Sequence, residues 1–120
     1  MNKSRGWIGV DLDGTLAYHS DVSSIDEIGR PIIPMLNRVK QWLAEGIEVR
    51  IVTARAATPE PYLGPMVKQI EDWCETHIGV VLPVTCKKDY QMIQLWDDRA
   101  VQVVRNTGQR VGTTPPREVR

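Results

Sequence analysis

Asp11 and Asp13 stand one residue apart in VDLDGTLA (10–17), directly behind an apolar run, and a second acidic pair, Asp97 and Asp98, closes MIQLWDD (92–98) in the same way. Like charges at the ends of buried segments bring no packing benefit, and if the loops that carry them converge they must repel or take up protons. A cation between them removes the conflict. A few hard oxygen ligands, with positions left for water and a phosphate oxygen, suit Mg²⁺; calcium collects more protein oxygens, and zinc asks for His or Cys. The two histidines do not supply a zinc site, because His19 falls in a polar loop and His77 closes a helix, where a cation complements the helix dipole. DLDGT also resembles the opening of an EF-hand loop, but its glycine comes too early and an apolar strand precedes it in place of a helix.

The elements that must hold these residues follow from periodicity and punctuation. WIGVDL (7–12) is short, apolar and followed by Asp-Gly, which fits a buried strand ending in a turn. Residues 17–34 are polar and broken by Gly29, Pro31 and Pro34, so they form a loop or flap. Met35, Val39, Trp42 and Leu43 recur at helical spacing, with Gly46 as the stop. IEVRIVT (47–53) is a second strand, and the proline-rich 54–65 a loop. Met66, Ile70, Trp73, Cys74 and His77 mark a second helix ended by Gly79; VVLPVT (80–85) is a third strand, placed near an edge or a bulge by Pro83. MIQLW (92–96) is a fourth strand, 99–105 a short helix and QRVGTT (109–114) a last weak strand.

Strands alternating with helices predict an α/β sandwich with a mostly parallel sheet. Ligands of such sheets bind beyond the carboxyl ends of the strands. The polar residues cluster at those ends: Asp11 and Asp13 after the first strand, Thr53 and Arg55 after the second, Lys87 and Lys88 after the third, Asp97 and Asp98 after the fourth.

Composition narrows the class. A chain of 120 residues with 42% hydrophobic and 25% charged residues predicts one globular domain over 1–120, with 114–120 a flexible tail. Fifteen basic residues balance fifteen acidic ones, so no global field draws the molecule to a polyanion or an anionic bilayer. The densest basic set is Arg105, Arg110, Arg117 and Arg120, the last two in the tail. Cys74 and Cys86 lack CxxC spacing and read as reduced core residues, which fits a cytoplasmic setting. Asp11 interrupts the apolar stretch behind Lys3 and Arg5, so neither a signal peptide nor a membrane span is expected there. Trp7, Trp42, Trp73 and Trp96 fall on apolar strands or helix faces and read as core.

DLDGTLA, IVTAR, the lysine of CKKDY and LWDDRA, in that order, resemble the four motifs of the haloacid dehalogenase-like (HAD) superfamily of hydrolases. The resemblance implies a Rossmann-like three-layer α/β/α sandwich and Mg²⁺-dependent phosphoryl transfer through an aspartyl-phosphate. It makes Asp11 the nucleophile and Asp13 the acid that protonates the leaving oxygen and then activates water. Asp11, the backbone carbonyl of Asp13 and one or both of Asp97 and Asp98 would hold Mg²⁺. Thr53 would bind a phosphate oxygen, beside Gly14 and Ala54, and a lysine would neutralise the transferring group; Lys88, next to Asp89, fits the motif slightly better than Lys87. Only DYQMIQLW separates that lysine from the final acidic pair, a compressed version of the family pattern.

Neither inter-motif interval is long enough for a cap domain, so the site is expected to be open, served by a macromolecular phosphoester or by a partner acting as lid. TAR, a proline-rich loop and DDRAVQVVRNTG are similar to the phosphatase domain of bacteriophage polynucleotide kinase, which implies a 3′-phosphorylated nucleic-acid end as substrate and Arg55 as a substrate contact. A nucleotide or small phosphomonoester is the competing substrate. A dehalogenase would lack the second aspartate, and a noncatalytic phosphate-binding module would have lost part of the motif set.

Overall fold

The computed structural model describes residues 6–20 and 27–112. β1 (Trp7–Val10) is buried along its whole length and lies between two parallel neighbours, β2 (Glu48–Val52) and β4 (Met92–Trp96). β2 pairs in turn with β3 (Val84–Thr85), giving a four-stranded, all-parallel sheet of order β3-β2-β1-β4. β3 is reduced to two residues because Pro83 cannot donate to the ladder; its carbonyl still accepts from Ile51 N at 2.8 Å.

Two helices join the strands. α1 (Ile33–Ala44) begins at Pro34's turn, where the missing N–H costs nothing, and buries Met35, Leu36 and Val39. α2 (Leu63–His77) buries Ile70, Trp73 and Cys74. Both starts lie a few residues before the first hydrophobic residue of the periodic pattern, since Pro34 and Pro65 are tolerated in a first helical turn. Side chains on a strand alternate between faces, and here Ile8, Val10, Val49 and Ile51 join the buried residues of both helices in one core cluster. Trp42 and Trp96 lie against that core and against each other, with ring centroids 5.2 Å apart.

The opposite face carries Trp7, Gly9, Arg50, Val52, Ile93 and Leu95. Arg50 stacks on Trp7 at 4.4 Å, and Asp89 from the β3–β4 connection accepts from Trp7 Nε1 at 2.9 Å. Ile93 (57% exposed) and Leu95 (39%) face solvent. Among the described residues the helical layer therefore covers one face of the sheet, and the second outer layer of the expected sandwich is not among them.

Three local expectations are corrected. The helix expected over 99–105 does not form; instead Val103 and Arg110 make an antiparallel bridge, with Val104 N donating to Gln109 O at 2.7 Å. Val101, Val103 and Val104 favour extended backbone, and Asn106 (φ 65°) with Gly108 (φ 75°) supplies the turn. The weak strand expected at 109–114 amounts to that bridge, with 113–114 outside the described residues. Cys86 is exposed where a core position was expected, while Cys74 is buried; both are free thiols. The 54–65 loop contains a 3₁₀ turn, Ala54–Ala57.

The flap is described at its ends. Tyr18 N donates to Arg30 O and Ile32 N to Leu16 O, each at 2.7 Å, and Trp73 Nε1 donates to Gly29 O at 2.9 Å, so both ends are tied to the body. Residues 21–26 and the tail from 113 lie outside the described residues. No described helix is long and apolar enough to cross a membrane.

Candidate active site

Adjacency of β1 and β4 decides the geometry. Val10 is level with Trp96, and Asp11 N donates to Trp96 O at 2.9 Å, so the first residues beyond both strands leave the sheet side by side. Carboxylate oxygens of Asp11, Asp97 and Asp98 accordingly lie within 4.8 Å of one another. Asp11 of the first sequence-predicted acidic pair thus meets both members of the second at the carboxyl edge of the sheet.

The turn after β1 is wound around one acceptor: Leu12 O receives the N–H groups of Thr15, Leu16 and Ala17 at 3.3, 3.0 and 2.8 Å. That turn aims Thr15 Oγ1 between the two acidic loops. The hydroxyl lies 3.3 Å from Asp11 Oδ2 and 3.2 Å from Asp98 Oδ1, with one proton to give, and accepts from Asp98 N at 3.0 Å. Gly14, at φ 92°, lets the turn approach: a Cβ there would lie 2.6 Å from Asp98 Oδ2. Asp97 Oδ1 accepts from Arg99 N at 2.7 Å, which fixes the start of the following loop.

Crowding is recorded in protonation. The Asp11 carboxyl is pushed up to about 7, first by burial, then by the hydrogen bond to Asp98 and by the charges of Asp97 and Asp98, with Thr15 pulling the other way. A half-buried carboxyl in an all-oxygen set that is short of positive charge fits a small hard divalent cation, which would take the place of the extra proton.

Asp13 sits apart from this trio. Its oxygens receive Arg55 Nε at 2.7 Å and Nη2 at 3.0 Å, and His19 Nδ1 lies 3.8 Å away. Arg55 is 6% exposed. Its Nη2 also donates to Glu27 O at 2.9 Å, and its Nη1 lies 3.7 Å from Met66 Sδ. Thr53 is 3% exposed; its backbone N–H bonds Thr85 O at 2.9 Å and its hydroxyl accepts from Arg55 N at 3.1 Å, so the residue caps the 3₁₀ turn that delivers Arg55.

A cavity of about 560 Å³ gathers the set, with Asp11, Asp13, Thr53, Ala54, Asp97 and Asp98 in its wall. His19, Cys86 and Arg99 are also in its wall. Lys87 and Lys88 are not brought there. Lys87 is exposed, with its N–H on Thr85 Oγ1 at 3.0 Å, and Lys88 borders a different cavity with Asp89, Tyr90 and Met92. Thr15 and Arg99 were the residues missed from sequence. The signal lies in spacing, since Thr four residues after Asp11 and Arg two after Asp97 are close enough to share their loops. Comparison of the chain with protein-family models, with curated proteins and with solved structures finds no match.

Proposed function

We propose that the chain is a Mg²⁺-dependent phosphatase that hydrolyses a phosphomonoester through an aspartyl-phosphate on Asp11, with a HAD-like, capless Rossmann-type domain as its scaffold. The observation that carries this reading is the meeting of Asp11 with Asp97 and Asp98 beside a separately held second acid, Asp13. Structural ion pairs do not need two differently treated carboxylates at one rim. A nucleophile and a proton carrier do.

Asp11, Asp97 and Asp98 would hold Mg²⁺, with the Asp13 carbonyl added by the family resemblance. When bound, the ion supplies positive charge to the carboxylates and to the phosphoryl oxygens. Asp11 Oδ attacks phosphorus as the bond from phosphorus to the leaving oxygen breaks, and Asp13 gives that oxygen its proton. In the second half Asp13 takes a proton from water; the water oxygen bonds to phosphorus, the Asp11 Oδ–P bond breaks, and inorganic phosphate leaves. Thr53 and Ala54, at the amino end of the 3₁₀ turn, line the place where phosphate oxygens would sit. Among the described residues Arg99 is the arginine or lysine that lines the cavity, and Thr15 steadies Asp11 and Asp98.

The finer substrate reading is a 3′-phosphorylated nucleic-acid end, supported by the likeness of the motifs to the polynucleotide-kinase phosphatase domain and by a site bordered by a flap in place of a cap domain. Turnover of p-nitrophenyl phosphate with Mg²⁺, lost in EDTA and in Asp11→Asn, tests the activity. A panel of 3′- and 5′-phosphorylated oligonucleotides, mononucleotides and sugar phosphates tests the substrate. No turnover of any of them by the unsubstituted protein would remove the enzymatic reading in favour of a noncatalytic phosphate-binding module.

A further inference from the structure

Arg55 carries an unusual load for a residue at the lip of a phosphate site. Each of its guanidinium nitrogens has a protein partner: Nε and Nη2 the two oxygens of Asp13, Nη2 also Glu27 O, and Nη1 Met66 Sδ. It is buried at 6% exposure, does not line the cavity, and is delivered by a turn capped from Thr53. An arginine that receives a substrate phosphate keeps its fork toward the cavity. This fork is closed on a carboxylate.

Resting on the phosphatase reading above, we infer that Arg55 is a positioning residue for the proton-transfer role of Asp13, and not a ligand of the substrate phosphate. The bidentate pairing fixes the plane of the Asp13 carboxyl, while each oxygen keeps a second lone pair able to carry the proton that is given to the leaving oxygen and later taken from water. The Glu27 carbonyl on the same Nη2 ties that plane to the base of the flap, so the closing end of the 17–34 segment and the Asp13 carboxylate share one anchor. A neutral or flexible side chain at position 55 would leave Asp13 in the site but free to turn.

Loss of a well-placed acid has a signature that a lost phosphate ligand lacks. Poor leaving groups need the proton in the first transition state, and good ones do not. Both need the same carboxylate to activate water afterwards. The expectation for Arg55→Ala is therefore a fall in kcat/KM of about 10²-fold for an alkyl phosphate such as glycerol 2-phosphate. For p-nitrophenyl phosphate it is a fall of no more than about threefold, with a burst of p-nitrophenolate as the second half becomes limiting. Arg55→Lys, which keeps charge without the fork, should show the same selective loss.

The test measures kcat/KM for both substrates in the unsubstituted protein, Arg55→Ala, Arg55→Lys, Asp13→Ala and Arg55→Ala/Asp13→Ala, with circular dichroism of each. Support is a selective loss on the alkyl phosphate, and no further loss when Arg55→Ala is added to Asp13→Ala. An equal fall on both substrates, or a further loss in the Asp13→Ala background, would overturn the inference. If Arg55→Ala fails to fold, Arg55→Lys decides by the same ratio. An unsubstituted protein that turns over neither substrate with Mg²⁺ defeats the phosphatase reading itself, an outcome distinct from an active enzyme with the wrong ratio.

Discussion

Asp11 and Asp98 share the hydroxyl of Thr15, although they lie 87 positions apart in the chain. The hydroxyl has one proton for two carboxylates and takes the Asp98 backbone N–H in return. It therefore ties the turn after β1 to the loop after β4 by contacts that neither strand supplies. Replacing Thr15 by Val keeps the shape and removes the contacts. The expected result is a loss of about 1 kcal/mol in unfolding free energy. Divalent affinity should fall roughly 10- to 100-fold, as for other groups that orient metal-binding carboxylates. Mg²⁺ titration by calorimetry, beside urea unfolding, checks both.

Gly14 has two reasons to be glycine, and they can be separated. Its φ of 92° strains any other residue, and an added Cβ would meet Asp98 Oδ2 at 2.6 Å. Gly108 has the first problem (φ 75°) without the second, since nothing lies within 4 Å of a Cβ there. Gly14→Ala should lower both stability, by about 1–3 kcal/mol, and Mg²⁺ affinity. Gly108→Ala should lower stability alone, and equal Mg²⁺ affinities in the two variants would contradict the placement of Asp98.

Stability should depend on pH through Asp11. Its carboxyl is raised from 3.8 to about 7 in the folded protein, so between those values the folded state binds more protons than the unfolded one. Its contribution is full below the unfolded value and is lost as pH rises through the folded one. The metal-free protein should therefore show a melting temperature that falls from pH 4 toward pH 7, measured against Asp11→Asn, which lacks this component. Saturating Mg²⁺ should flatten the difference by stabilising the ionised carboxyl. A difference curve that rises with pH would show the sign to be wrong.

Charge at the phosphate position gives a further test. Arg99 lines the cavity, whereas Lys88 borders another one beside Tyr90. Arg99→Ala is expected to lower kcat/KM for p-nitrophenyl phosphate about tenfold or more, and Lys88→Ala by less than about threefold. The reverse order would assign the neutralising role to the lysine of CKKDY.

Sequence periodicity was enough for α1, α2, β1, β2 and β4, and it set Asp11, Asp97 and Asp98 at strand ends, because a buried apolar run followed by charges constrains both burial and direction. It failed where tertiary context decides. Residues 99–105 are all exposed among the described residues, so the β-branched valines and the Asn106 turn prevail over a helix. Residue types alone do not tell an arginine that faces a cavity from one that faces a neighbour: Arg55, expected to contact substrate, is paired with Asp13, and Arg99, for which no role was expected, lines the cavity. Thr53, expected to contact phosphate, lines the cavity but also spends its hydroxyl on the Arg55 N–H.

Among the described residues β4 pairs with β1 and with no other strand, and it is the carrier of Asp97 and Asp98. Two of the acidic trio are thus mounted on the margin of the sheet while Asp11 is mounted at its centre. Fraying of that margin would dismantle the trio and leave the helix-covered interior standing. A bound cation would then work as a rivet between rim and hub, and amide exchange across Met92–Trp96 should slow on adding Mg²⁺ far more than exchange across Ile8–Val10.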